Sequence, residues 1–172
     1  TIYVERERFD NKEGGVETGD DAFLDIIVNG VKEKNSEELR KVKLLRNIKT
    51  SLNKFSNLGK KIYIVSPVPE VGFVPAVKMI KSRFFNKELI APTHSYDIFL
   101  ERNYRVRSLL HNFQEDNEKI NIFDISNVFC NKITQRCNTF KDISKPLYYD
   151  DDHLSSYGAK IIVNDFISWI KE

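Results

Sequence analysis

Asp150, Asp151, Asp152 and His153 stand in a row just ahead of the last stretch of helical periodicity in the chain. Imidazole is the side chain whose ordinary pKa lies nearest neutrality, which makes it the usual carrier of protons in catalysis. A carboxylate bonded to one ring nitrogen fixes the tautomer and leaves the other nitrogen as a base. Asp150 and His153 are three positions apart, a spacing that puts both on one side of a helical turn. Residues 156–171 follow, with Ala159, Ile162, Val163, Phe166, Ile167 and Ile170 at amphipathic-helix intervals. Ser155 occupies the N-cap position of that helix. The positive end of the helix disfavours an imidazolium and the neighbouring acids favour it. The spacing therefore predicts a histidine suited to proton transfer near neutral pH.

Three chemistries fit these residues. Asp150 and His153 can be two members of a Ser-His-Asp triad, in which His153 deprotonates a serine and Asp150 holds the ring. Asp150, Asp152 and His153 can bind a metal, although no second histidine-carboxylate cluster is evident in the sequence. Or the acids simply cap the last helix of a non-catalytic binding module.

Such a turn needs a scaffold, and the rest of the chain reads as α/β. Ile2-Tyr3-Val4 is β-prone and is followed by a polar run, Asp10 to Thr18, expected as a surface loop. Phe23 to Val28 reads as a short strand ended by Asn29-Gly30. Asn35 or Ser36 caps a long helix whose stripe is Leu39, Val42, Leu45, Ile48, Leu52 and Phe55, and Gly59 ends it. Ile62-Tyr63-Ile64-Val65 has the composition of a strand buried on both faces of a parallel sheet. Ser66-Pro67-Val68-Pro69-Glu70 then lies at its carboxyl end, where ligand sites of open α/β sheets form; a plain proline-braced turn is the alternative. Pro75 opens a short helix to about Phe84. Residues 86–94, with Pro92, are expected as a loop. A helix from about Ser95 to Phe113 turns Ile98, Phe99, Val106, Leu109 and Leu110 inward. His94 and His111 flank it without a partner pattern and are assigned structural roles. Ile120 to Ile125 is a further strand, and Asp124 near its end is either functional or a turn cap.

With 172 residues the chain can build one domain with a real core, expected over residues 1–172. A net charge of +2, with acids and bases interspersed, argues against a nucleic-acid partner. No run of about 18 apolar residues is present, so no spanning helix is expected here. Cys130 and Cys137 enclose a short polar loop, a spacing that permits a local disulfide in an oxidising compartment or leaves two free thiols. Two cysteines alone make a poor zinc site. No cofactor motif is found.

Leu147-Tyr148-Tyr149-Asp150-Asp151-Asp152-His153-Leu154-Ser155, with Gly158-Ala159, resembles the last block of the SGNH (GDSL) hydrolases. The wording is closest to the SGNH domain fused behind the membrane domain of acyltransferase-3 proteins, which O-acetylate cell-surface polysaccharides. Lys60 to Gly72 is similar to that branch's strand and Pro-x-Pro-Glu loop, and Asp124 to Cys137 to its stretch leading to paired cysteines. The resemblance covers about Gly59 to Glu172. It implies a three-layer α/β/α fold with a mostly parallel, flavodoxin-like sheet, incomplete at the N-terminus. It also implies a triad to which His153 and Asp150 belong, an acyl donor, a polysaccharide acceptor, a membrane acyltransferase domain upstream in the same polypeptide, and a periplasmic location. The family's serine follows a first strand in a Gly-Asp-Ser block. Here the nearest string is Gly19-Asp20-Asp21-Ala22, without a preceding strand, and the Gly and Asn oxyanion blocks are not identifiable. The expectation is a chain that opens in mid-domain, with its nucleophile upstream of Thr1.

Overall fold

The structure, a computed structural model, describes residues 4–5, 7–17, 27–28, 31–32, 37–85 and 90–171. The expected strand from Phe23 is described only as β1 (Ile27–Val28), which pairs antiparallel with β2 (Val31–Lys32). Asn29-Gly30, the caps Asn35 and Ser36, and the Gly19 to Ala22 string lie outside the described residues.

Helix α1 (Glu37–Ser56) contains no glycine or proline, and its charges suit the dipole: Glu37 and Glu38 in the first turn, Lys54 in the last. Gly59 closes it with a φ of +73°, its N–H bonded to the Ser56 carbonyl. Its orientation departs from the expected apolar stripe. Leu45, Ile48 and Leu52 are half-buried, but Leu39, Val42 and Phe55 are exposed, whereas Arg40 and Lys41 are buried. Electrostatics explains the rotation. Arg40 Nη2 donates to the Val4 carbonyl at 2.5 Å, and Lys41 Nζ lies 2.5 Å from Glu5. The N-terminal segment draws these cations inward and turns part of the apolar stripe outward.

Strands β3 (Ile62–Val65) and β5 (Ile120–Phe123) pair in parallel, in register Ile62↔Ile120 to Val65↔Phe123. Parallel neighbours need a long crossover. Here it contains α2 (Pro75–Phe84), β4 (Thr93–Ser95) and α3 (Tyr96–Asp116). Proline at its first turn starts α2, and the Ser95 hydroxyl accepts from Ile98 N at 3.3 Å to cap α3. Helix α3 packs on β5; of its expected inward residues Phe99 and Leu110 are buried and Ile98, Val106 and Leu109 half-buried, while Tyr96, Asn103 and Phe113 are buried as well. The final helix, α5 (Ser156–Trp169), lays Phe166 and Trp169 against Tyr63 and Phe123.

The α/β class therefore holds, but the mostly parallel sheet is only partly realised. The parallel pair is accompanied by an antiparallel sheet of order β4-β7-β6, with α4 (Ser126–Phe129) leading into β6 (Cys130–Asn131) and β7 (Arg136–Asn138). Thr93 and His94 thus belong to a strand rather than to a loop, because Pro92 precedes the strand and costs it no ladder bond. Cys130 and Cys137 sit directly opposite each other and form a disulfide. Strand β3 is not buried on both faces: Tyr63 and Val65, which share one face, are exposed.

The polar run from Asp10 is not a plain surface loop. Phe9, Asn11, Gly15 and Glu17 are buried, Asp10 bridges Val16, and Phe9 and Glu17 exchange bonds of 2.8 Å. The main core collects Val71, Phe123, Ile125, Phe129, Leu147, Tyr148 and Ile162 at the carboxyl ends of the parallel pair. No helix among the described residues is long and apolar enough to cross a membrane.

Candidate active site

The acidic turn is built by a short hairpin. Tyr148 bridges Leu154, and Tyr149 N donates to the His153 carbonyl at 2.8 Å, so Asp150, Asp151 and Asp152 form the tip. Asp150 organises it. Its Oδ1 accepts from His153 N at 2.7 Å and from Asp152 N at 3.1 Å, an Asx turn rather than the helical turn expected from the spacing. The outcome for the ring is the one the spacing predicts. His153 Nδ1 lies 3.0 Å from Asp150 Oδ2.

Asp152 comes closer still. Its Oδ1 is 2.7 Å from His153 Nδ1. Adjacent residues diverge on a helix, and it is the bend that folds Asp152 back on its neighbour. The run of three acids was the one signal for it. Nε2 has no hydrogen-bond partner among the described residues, and the side chain of His153 is 74% exposed.

These contacts shift the titration of the group. His153 is raised above its ordinary pKa, first by the negative charge of Asp152 and then by the bond to Asp150. The acids thus outweigh burial, which works downward. Burial raises Asp152 to about 6, with Asp150 and Asp151 adding to it and His153 opposing. Burial works upward on Asp150 too, but the N–H groups of His153 and Asp152 and the ring itself prevail, and its pKa is lowered.

The rest of the fold pins this hairpin from both sides. Val71, next to the Pro-x-Pro-Glu loop, donates its N–H to the Asp151 carbonyl at 2.8 Å. Its own carbonyl accepts from Asn11 Nδ2 at 2.9 Å, and Asn11 Oδ1 takes the N–H groups of Glu13 and Gly15. Gly15 permits this approach, since a Cβ there would lie 2.7 Å from the Gly72 carbonyl oxygen. Glu70 is buried beside Arg102, with Oε2 and Nε 3.4 Å apart, which ties the loop to α3. On the other side Ser155 caps α5 as expected, accepting from Gly158 N at 3.0 Å and donating to the Pro146 carbonyl at 2.7 Å. Neither Asn11 nor Val71 carried a sequence signal for these contacts, which depend on tertiary approach.

The other candidates separate from the site. Asp124 is a structural cap and ion pair: it takes Arg107 at 3.0 and 2.7 Å and the Ser126 hydroxyl at 2.7 Å. Burial opposes its ionisation, but Arg107 and Ser126 prevail and hold it well below the usual carboxylate range. His94 is fully buried, while His111 is exposed. Ligand atoms of Asp150, Asp152 and His153 lie within 4.8 Å of one another, so the turn has the donors for a cation, though all three come from one exposed tip. Beside it runs an open cleft of about 630 Å³ lined by Pro146, Tyr149, Leu154, Ser155 and Tyr157, among others.

The α/β scaffold thus presents an acid-held histidine on a turn before its last helix. The model of the SGNH domain family, described as fused to AT3 domains, matches residues 1–168, and the chain belongs to that family. There is no significant match among curated proteins or solved structures.

Proposed function

We propose that this domain carries out acyl-ester chemistry on a polysaccharide, with His153 as general base and Asp150 and Asp152 as its orienters. The observation that carries the reading is the anchored ring: Nδ1 is held by carboxylates at 3.0 and 2.7 Å while Nε2 remains open. A serine from residues other than those described attacks the ester carbonyl as His153 Nε2 takes its proton. The tetrahedral intermediate collapses, His153 returns the proton to the departing alkoxide, and an acyl-serine remains. A sugar hydroxyl or water, deprotonated by the same nitrogen, then attacks the acyl-serine and frees the serine. Tyr149 and Tyr157 line the adjacent cleft and give a sugar ring flat apolar surface to lie against. A membrane acyltransferase domain in the same polypeptide would supply the acyl group, on the periplasmic side of a bacterial inner membrane.

In the complete protein, His153→Ala is expected to lower turnover of an aryl acetate by about four orders of magnitude. The circular dichroism spectrum should stay unchanged, because the ring is exposed. Turnover retained by the variant would remove His153 from the mechanism. Turnover lost to a chelator and recovered with added metal would instead favour a cation held by Asp150, Asp152 and His153.

A further inference from the structure

Helix α2 is inverted. Pro75 is buried, and Ala76, Met79 and Ser82 are half-buried, so these residues form its inward face. Val77, Ile80 and Phe84 recur at i, i+3 and i+7 on the outward face, exposed by 46, 53 and 81%, and Phe85 follows at 74%. A surface helix ordinarily turns such a stripe to the core. Contiguous exposed apolar surface of this kind marks an interaction site.

Its surroundings identify the partner's chemistry. The helix contains no acidic residue, and Lys78, Lys81 and Arg83 border the stripe. Lys81 and Arg83 form no ion pair among the described residues, and Lys78 lies over the Phe73 ring at 3.9 Å. An apolar stripe with phenylalanines at its end and cations along its borders complements a bilayer surface, with hydrocarbon under the stripe and anionic headgroups beside the cations. The family is described as fused to AT3 domains, and a membrane domain in the same polypeptide would hold the domain near a bilayer.

We propose that the outward face of α2 lies on an anionic phospholipid surface, and so fixes the side of the domain that faces the membrane. The test is flotation of the chain with vesicles of phosphatidylglycerol and phosphatidylcholine, against vesicles of phosphatidylcholine alone. Binding is expected to the anionic vesicles. Lys81→Gln with Arg83→Gln should weaken it about 25-fold, at about fivefold per cation. Ile80→Ser with Phe84→Ser should weaken it by about tenfold or more. Val163→Ser, which alters a similarly exposed apolar position on α5, should leave binding as it was. No binding, equal binding to both vesicle types, or equal losses from the α5 and α2 changes would overturn the proposal.

Discussion

Gly158→Ala is a sharp test of how the fold positions the acidic turn. Gly158 lies in the first turn of α5, and a Cβ there would stand 2.1 Å from the Leu147 carbonyl oxygen and 3.0 Å from its carbon. The same oxygen accepts Ser155 N at 2.9 Å, so the helix start and the strand leading into the hairpin touch backbone to backbone. Helix propensity alone favours alanine by about 1 kcal/mol. Overpacking against backbone costs about 1–3 kcal/mol, and losing the Ser155 bond about 1 kcal/mol more. The net expectation is destabilisation by about 1–3 kcal/mol, or a Tm lower by roughly 3–10 °C for a chain of this length. Thermal unfolding followed by circular dichroism measures it, with Ala159→Gly as a propensity control that should cost about 1 kcal/mol. In the complete protein, a turn displaced by about 1 Å should also lower aryl-acetate turnover about 100-fold. A Gly158→Ala protein as stable as the parent, or more stable, would show that close approach does not set this glycine.

Three other substitutions probe the charges. The rate should rise with pH through the raised pKa of His153, since only the neutral ring is a base, and Asp152→Asn should move that acid limb to lower pH; an unmoved limb would separate Asp152 from the ring. Asp124→Asn should cost about 2 kcal/mol in urea unfolding at pH 7 by breaking the Arg107 pair. Because Asp124 is depressed in the fold, its stabilisation is present above the ordinary carboxylate pKa of 3.8 and lost as pH falls further, so the difference should shrink in acid; equal stability at neutral pH would refute the assignment. His94 is pushed down from 6.5 to about 4 by burial and by Arg136, so the unfolded chain binds its proton first as pH falls between those values. This gap corresponds to about 3 kcal/mol lost by pH 4, and His94→Gln should flatten that part of the stability profile; an unchanged slope would exclude His94.

What could be read from the sequence was whatever short-range chemistry determines. The Ser155 cap, the start of α2 at Pro75, the Gly59 stop and the β5 strand each depend on a few neighbouring residues. The Asp150–His153 contact was legible for the same reason, although a hairpin and an Asx turn make it rather than a helical turn. Errors fell where tertiary contacts override local pattern. Arg40 and Lys41 are buried because Val4 and Glu5 lie against them, and no periodicity within α1 encodes that. Asn11 sits in a run that looks like a loop, and its role appears only once Val71, distant in sequence, is beside it.

The exposure of His153 bears on how its ring is held. An ion pair in water contributes little, because solvent screens it and two side chains must be ordered to form it. A ring 74% exposed would then wander between rotamers if charge alone positioned it. Here the acid is set first: Asp150 Oδ1 is fixed by the His153 and Asp152 backbone N–H groups, which brings both carboxylate oxygens to Nδ1, Oδ2 at 3.0 Å and Oδ1 at 3.2 Å. The backbone of the tip is in turn held at Asp151 by Val71 and closed at its base by the Tyr149 to His153 bond. The geometry of the base thus derives from main-chain hydrogen bonds that reach into the core at Leu147 and Tyr148. An open Nε2 and an anchored Nδ1 are compatible because the anchoring lies beneath the ring, not around it.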